Sequence, residues 1–370
     1  MLDAITLHNL NVNGGENSLF MKCDFCCTSW GKRKLMEIVC NPSCEIDEIR
    51  GRQEAIKELC DDIELLTSCR ALLSSLNVDL ERSLAQIHQF GNKETMKNHP
   101  AGRAVLYEAV TYGKNKITDF AAALKALEEL MVIPLMFQDC SSSMLKTLTQ
   151  TAENGGAFVD MSEHIQQLKN SFDIDEAKKT GYVVPGRNVD DEYDAILNEI
   201  DELGDELKAY LKQEEKKVGC KLTYFGADRK RYQIEVPESH SKRVPKDYNL
   251  ESSKGKGKNA VIRYTTDETK EFLARMTALE VQKKQILDDF GRRVFEKFSQ
   301  KYMQYKKICD LIGKLDFLAS LAEYSRNLSV SCVPEVHEMA ENSGESFIKI
   351  TNGIHPLMNV DDYIPNGIDI

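Results

Sequence analysis

Residues 221–236 read Lys221-Leu222-Thr223-Tyr224-Phe225-Gly226-Ala227-Asp228-Arg229-Lys230-Arg231-Tyr232-Gln233-Ile234-Glu235-Val236, and across them the hydrophobic pattern changes from helical to extended. Lys221 to Phe225 and Arg231 to Val236 alternate in character, and Gly226-Ala227-Asp228 marks a turn, which predicts a hairpin with Ala260 to Thr265 as a third strand. On either side the pattern is that of a helix. From Asp190 to Lys217, Ile196, Ile200, Leu203, Leu207, Tyr210 and Leu211 keep one apolar stripe over about four turns. A second stripe opens near Asp267 and runs through Ile286, Phe290, Val294, Phe298, Tyr302 and Tyr305, predicting one helix that continues past Phe290 toward Tyr324. At about 1.5 Å per residue a helix of roughly 35 residues is about 50 Å long. Each stripe needs a partner and the other helix is the one at hand. The expected arrangement is a long antiparallel helix pair with a small β-unit at its tip.

Charge follows the same boundaries. Lys216 to Arg263 holds 13 Lys and Arg against 5 Asp and Glu, in a chain whose formal net charge is −11. Immediately before it, Asp190 to Glu215 holds 11 acidic residues against Lys208 and Lys212. Ser252 to Lys258, Ser-Ser-Lys-Gly-Lys-Gly-Lys, reads as a flexible basic loop. Lys254, Lys256, Lys258 and Arg263, with Ser252, Ser253 and Asn259, bring together the cations, hydroxyls and backbone amides that bind phosphate oxygens. Arg229, Lys230, Arg231, Lys242 and Arg243 form a second rank. None is placed to read a base, so the expected contact is sequence-independent and salt-sensitive. The plainer reading is a solvated loop that keeps a β-unit soluble.

The remainder is largely helical. Helices are expected around Gly31 to Val39, Cys44 to Ser68, Asn77 to Phe90 and Lys114 to Val132, with a loop from Asn92 to Gly102. Residues 141–190 are more polar, Gly155-Gly156 and Pro185-Gly186 mark turns, and the chain is expected to cross between elements there. After Arg326, Ser346-Phe347-Ile348-Lys349-Ile350 and the turn Asn352-Gly353 look like the opening strands of another domain that is not completed by Ile370. With 370 residues, 29% charged, 9 Pro and 21 Gly, the composition is that of a globular chain of two or three domains. The densest apolar run, Leu130 to Phe137, contains Pro134 and is too short for a membrane span. Met1-Leu2-Asp3-Ala4 lacks a basic n-region, so export is not expected and the 11 Cys are expected as thiols.

Catalytic signatures are mostly absent. His337-Glu338 is followed by Glu341 where a zinc protease needs a second histidine, and Ser143-x-x-Lys146 stands without its companion motifs. No Gly-x-x-x-x-Gly-Lys-Ser/Thr phosphate loop occurs. Cys23-x-x-Cys26 with Cys40-x-x-x-Cys44 has the spacing of a four-thiolate zinc site, but Gly31 to Val39 between them reads as helix, which favours small buried hydrophobes.

Several local matches, taken in order, identify a family. They are Leu2-Asp3-Ala4-Ile5-Thr6-Leu7-His8-Asn9-Leu10, Asn17-Ser18-Leu19, Thr28-Ser29-Trp30-Gly31-Lys32-Arg33 and Asn98-His99-Pro100 with Arg103-Ala104 and Tyr107-Glu108. The series continues with Phe172-Asp173, Ala177, Gly181, Pro185 and Tyr193-Asp194, the hairpin Arg231 to Glu238, and Asp361-Asp362-Tyr363-Ile364-Pro365-Asn366. The chain resembles the middle of a MutS-type DNA mismatch-repair protein, and within that family the homologue 6 branch of its eukaryotic members. The similarity covers nearly the whole chain.

The resemblance implies a mainly α fold: a helical core with long antiparallel lever helices carrying a small antiparallel β clamp, plus the first strands of a truncated α/β ATPase domain. Residues 1–189 would be the first part of the helical core and lever, 190–215 a lever helix, 216–265 the clamp, 266–330 the returning lever helix and core, and 331–370 the start of the ATPase domain, with Thr351-Asn352-Gly353-Ile354-His355-Pro356 at its opening. Double-stranded DNA and a second MutS homologue subunit are the implied partners, with no membrane, and the nucleus is the implied location. ATP and Mg belong to the full-length family, whereas no cofactor, metal or catalytic residue is expected in this chain. The family's mismatch-probing Phe-x-Glu occurs nowhere here, and Leu168 stands where a tryptophan is expected. Two readings compete. One is a helical protein-interaction scaffold whose basic tip binds a membrane or an acidic partner, and the other is a zinc module on Cys23, Cys26, Cys40 and Cys44.

Overall fold

Asp3, Ser18, Thr28, Asp62, Ser142, Asp173 and Asp190 each accept a hydrogen bond from the backbone N–H three residues on, and each opens a helix. The computed structural model describes residues 3–15, 17–91, 109–255, 260–338, 347–357 and 364–370. Its first helices are α1 (Ala4–Asn9), α2 (Leu19–Cys23), α3 (Ser29–Cys40), α4 (Ile46–Asp61), α5 (Ile63–Ser75) and α6 (Leu80–Gly91). There follow α7 (Ala109–Leu130), α8 (Ile133–Met136), α9 (Ser143–Thr149), α10 (Ser162–Asn170), α11 (Ile174–Thr180) and α12 (Asp191–Val218). Strands β1 (Thr223–Phe225), β2 (Gln233–Pro237), β3 (Asn249–Lys254) and β4 (Val261–Thr265) precede α13 (Asp267–Gln300), α14 (Tyr302–Arg326), β5 (Lys349–Gly353) and β6 (Asn366–Asp369). The mainly α class is as expected. The chain forms two compact units, one of residues 1–109, 115–170 and 295–370, the other of residues 110–114 and 171–294.

Several expectations are corrected. The helix read from Cys44 to Ser68 is two, because Asp62 caps α5 by accepting from Leu65 N at 2.9 Å. The second long helix ends at Gln300 and restarts at Tyr302, where a stripe on one face gives way to a helix buried all round. Residues 141–190 contain α9, α10 and α11 rather than a plain crossing. The expected loop from Asn92 to Gly102 lies outside the described residues.

In the first unit α14 is the central helix, with α2, α3, α4, α5, α6 and α9 packed around it. Leu315, Asp316, Leu318, Ala319, Ser320 and Ala322 on it are fully buried. Asp316 accepts hydrogen bonds from Cys27 N at 2.9 Å, Thr28 N at 2.8 Å and Thr28 Oγ1 at 2.6 Å. One turn on, Ser320 Oγ accepts from Phe25 N at 2.8 Å and donates to Cys23 O at 2.7 Å. The carboxylate therefore sits at the N-terminus of α3, where helix dipole and free N–H groups favour negative charge. Gly31 permits the approach, since a Cβ there would lie 2.1 Å from Asp316 Oδ2. Burial still pushes the Asp316 carboxyl above its ordinary value, against the pull of its Thr28 and Cys27 donors.

Aromatic rings fill the space where α13 meets α14. Phe298 and Tyr305 stack at 4.6 Å across the break, and Phe120 lies 4.8 Å from Phe295. Two histidines flank the break. His88 Nδ1 is 2.6 Å from Ser299 Oγ with its ring stacked on Tyr302, and His164 Nδ1 is 2.6 Å from Tyr305 Oη.

In the second unit α12 and α13 run antiparallel. Tyr193 and Ile196 pack with Leu287, and Leu203 and Leu207 with Met276. Arg275 joins Glu206 across the seam, and Arg293 pairs with Asp190, the N-cap of α12. The four strands between these helices form one antiparallel sheet in the order β1-β2-β4-β3. Cys23, Cys26, Cys40 and Cys44 are free thiols, and among the described residues no group of three or more His, Cys, Asp or Glu is disposed to hold a metal. Burial pushes the Cys23 thiol up to about 11.

Two outcomes follow from this packing. Asp316→Asn keeps one accepting oxygen but turns an amide N–H toward either the Cys27 or the Thr28 donors, so urea unfolding should register a loss of about 1–3 kcal/mol; an unchanged midpoint would remove Asp316 from its structural role. Burial holds His88 below its ordinary value, and burial with Lys301 and Lys297 does the same for His164. A base so depressed adds stability while neutral and loses it as pH falls through about 6.5. The melting temperature should therefore drop between pH 7 and pH 5.5, and the drop should shrink in the double variant His88→Gln/His164→Gln.

Candidate nucleic-acid interface

The antiparallel sheet has two unlike faces because side chains alternate along each strand. Ile234, Val236 and Tyr264 point to one face and pack with Val218, Leu222 and Tyr248, which fixes the sheet to the C-terminal end of α12. Buried beside them, Glu214 accepts from Tyr248 Oη at 2.6 Å and pairs with Lys217. The opposite face carries Gln233 and Glu235 from β2 and Arg263 and Thr265 from β4. At the start of α13, Thr266 and Thr269 cap each other, Thr266 N donating to Thr269 Oγ1 and Thr269 N to Thr266 Oγ1, and Tyr210 Oη on α12 reaches Thr266 Oγ1 at 2.8 Å.

The structure divides the candidate cations by what they touch. Arg263 Nε donates to Glu235 Oε1 at 3.0 Å, its cross-strand partner in register, and its guanidinium lies 3.3 Å from the centre of the Phe225 ring. Only 13% of its side chain is exposed, so its charge is taken up within the sheet. Arg231 holds Glu280 on α13 through Nη1 at 2.7 Å and Nη2 at 2.8 Å. That pairing raises the Arg231 guanidinium and lowers the Glu280 carboxyl from their ordinary values. Arg229 and Lys230 sit in a helical turn over residues 228–230, exposed and with no ion pair among the described residues. Their turn depends on Gly226 at φ +106, where a Cβ would meet Lys230 O at 1.8 Å, and on Asp228 and Tyr232 at positive φ.

Ser252, Ser253 and Lys254 are strand residues, which corrects the flexible loop expected there. The reason is that backbone pairing with β4, rather than an apolar pattern, holds this edge. Register sets Ser252 opposite Arg263 and Lys254 opposite Val261, on the Arg263 face, with Ser253 on the other. Lys256, Lys258 and Asn259 lie outside the described residues. Lys242 and Arg243 fall in a turn over residues 238–243 that packs against α12, away from the Arg263 face.

A groove of about 380 Å³ runs over the Arg263 face and gathers Arg229, Lys230, Arg231, Ser252 and Arg263. It also takes in Lys270 and Thr269 from the start of α13 and Phe225 from β1, which the sequence did not single out. The only signal for Lys270 was its place three residues after Asp267, with which it pairs at 3.3 Å. The groove thus has a framework of internally neutralised arginines; Arg229 and Lys230 in its lining make no ion pair among the described residues, and Lys254 lies on the same sheet face two residues along β3 from Ser252. Such a surface suits a chain of phosphates, with Glu251 in the lining occupied in accepting from Thr265 Oγ1 at 2.9 Å.

Comparison with known proteins is consistent in kind. The family profile of MutS domain III matches residues 5–322. The chain is 44% identical over its whole length to a protein of Drosophila melanogaster described as probable DNA mismatch repair protein Msh6, of which it covers 31%. It is 34% and 33% identical to the DNA mismatch repair protein Msh6 of Gallus gallus and of Homo sapiens, again over the whole chain, covering 29% and 28% of them. The chain therefore spans about a third of the length of these relatives.

The division of the arginines makes a testable contrast. Arg263→Gln should lower stability by about 1–2 kcal/mol through loss of the Glu235 pair and the Phe225 contact. Arg229→Gln and Lys230→Gln should stay within about 0.5 kcal/mol. Equal melting temperatures for all three variants would show that Arg263 is no part of the framework.

Proposed function

The chain belongs to the MutS family of DNA mismatch-repair proteins, like MutS homologue 6 within it, and from that premise we propose that it is the part that holds the duplex. In this reading the β-sheet between α12 and α13 is a clamp that helps encircle double-stranded DNA through sequence-independent phosphate contacts. The observation that carries it is the groove whose arginine framework is internally paired while Arg229 and Lys230 in its lining, and Lys254 on the same sheet face, make no ion pair among the described residues. Phosphate contacts position a protein on a duplex without reading it, and unpaired cations on a rigid sheet are suited to that task.

The two helices, which share a continuous seam, are the link by which ATP state would be relayed to the clamp. Residues 190–215 and 266–330 are read as lever, 216–265 as clamp and 331–370 as the opening of an ATPase domain. The sequence contains no phosphate-loop pattern, and no catalytic step is assigned to its residues. The whole protein is read as a nuclear ATPase acting in mismatch repair beside a second MutS homologue subunit, on the strength of its similarity to eukaryotic Msh6 proteins.

Binding of labelled matched and mismatched duplexes across a salt series tests this reading. The chain should bind both alike, with affinity falling steeply as salt rises. The triple variant Arg229→Gln/Lys230→Gln/Lys254→Gln should flatten the logarithmic salt slope by about 3, close to 0.9 for each phosphate no longer neutralised. Binding that ignores salt, or survives unchanged in the triple variant, would favour a protein-interaction scaffold instead.

A further inference from the structure

A second group of cations lies behind the sheet. Helix α12 ends at Gly219, whose φ of +77 turns the chain out of the helix. Lys216 stands in its last turn and Lys221 just beyond it, both exposed. The 238–243 turn packs on this same helix, and Arg243 Nη1 reaches to 3.1 Å from the point a Cβ on Gly219 would occupy. Lys242, Arg243 and Lys246 are exposed, and none of these five cations has an ion pair among the described residues.

Nearby acids are largely turned to other uses. Glu214 is 1% exposed and held by Lys217 and Tyr248, and Glu215 accepts from Leu222 N at 3.0 Å. Asp247 and Glu238 remain outside these pairings, and the field of Asp247 falls on Lys217. The negative end of α12 accounts for Lys216 and Arg243, which sit at its last turn and cap, but its influence fades within a turn. Lys221, Lys242 and Lys246 are left without a structural reason. The stretches 212–221 and 238–247 expose no large apolar side chain. A protein partner normally needs such an anchor, whereas a polyanion needs only charge.

Val244 and Tyr248 follow this turn into the core on the α12 side of the sheet, so Lys242, Arg243 and Lys246 lie on the side away from the groove, whereas Lys221 alternates with core-facing Leu222 and is set aside. We propose that Lys216, Lys242, Arg243 and Lys246 form a second phosphodiester-binding surface, through which the chain holds a separate segment of nucleic-acid backbone. The proposal rests on the groove being the first such surface, as read above.

A bridging assay tests it. The whole chain is bound to bead-anchored duplex, then offered a second, fluorescent duplex, and the fluorescence carried onto the beads is measured. The wild-type chain should carry the second duplex. The variant Lys216→Gln/Lys242→Gln/Arg243→Gln/Lys246→Gln should still bind the anchored duplex but lose bridging about tenfold, with circular dichroism unchanged. If that variant does not fold, Lys242→Glu/Arg243→Glu, outside the helix, should give the same loss. Bridging that persists in a folded variant overturns the second surface, as does wild-type chain that binds anchored duplex and never bridges, or that is retained by polyglutamate instead of the second duplex. Failure to bind the anchored duplex at all would overturn the clamp reading along with it.

Discussion

The placement of the candidate interface depends on one seam. Tyr193, Ile196, Leu203 and Leu207 on α12 meet Leu287 and Met276 on α13 in antiparallel order, so residues 219–266 must leave the end of one helix and return to the start of the other. Once that geometry is set, the intervening chain closes in the short span between Val218 and Thr266. It does so as a sheet, whose apolar face uses the last apolar residues of α12 as its floor. The reciprocal cap of Thr266 and Thr269, held from α12 by Tyr210, fixes where the return begins. The basic face is thereby set beside the first turns of α13, whose Thr269, Lys270 and Leu273 share the groove.

Much of this was legible in the sequence for a physical reason, and the rest was hidden for one. The α12 stripe and the β2 alternation are strong because burial on one face imposes a period. The end of β3, Ser252 to Lys254, reads as loop because the strand is exposed on both faces, and an edge strand needs only its backbone bonds to β4. The break between α13 and α14 was invisible because Phe298 and Tyr305 continue the apolar spacing through it and stack across it. The fold class and the family were therefore readable, while the joints between elements were not.

The candidate site shows a similar limit. Arg263 and Lys254 look alike in a charge count, yet register puts Arg263 opposite Glu235 and leaves Lys254 at an edge. Arg231 likewise finds Glu280 from an element 49 residues away. Sequence identifies a basic region, and only tertiary pairing decides which cations are spent on the framework and which face solvent. The same holds for Lys242 and Arg243, which a linear reading groups with Arg229 and Lys230 although the sheet separates them.

The bond between Thr28 and Asp316 spans 288 residues of chain, and those from Phe25 and Cys23 to Ser320 span 295 and 297. By contrast, every strand pairing in the four-stranded sheet lies within residues 223–265. During synthesis the N-terminal helices would emerge long before the helix they must surround, with the pocket for α14 still open. The sheet and its two helices can close as soon as residue 294 is made, because their contacts are local in sequence. The order of assembly is then the reverse of the order of the chain: the inserted unit is finished first, and the N-terminal helices wait for α14 to complete their core.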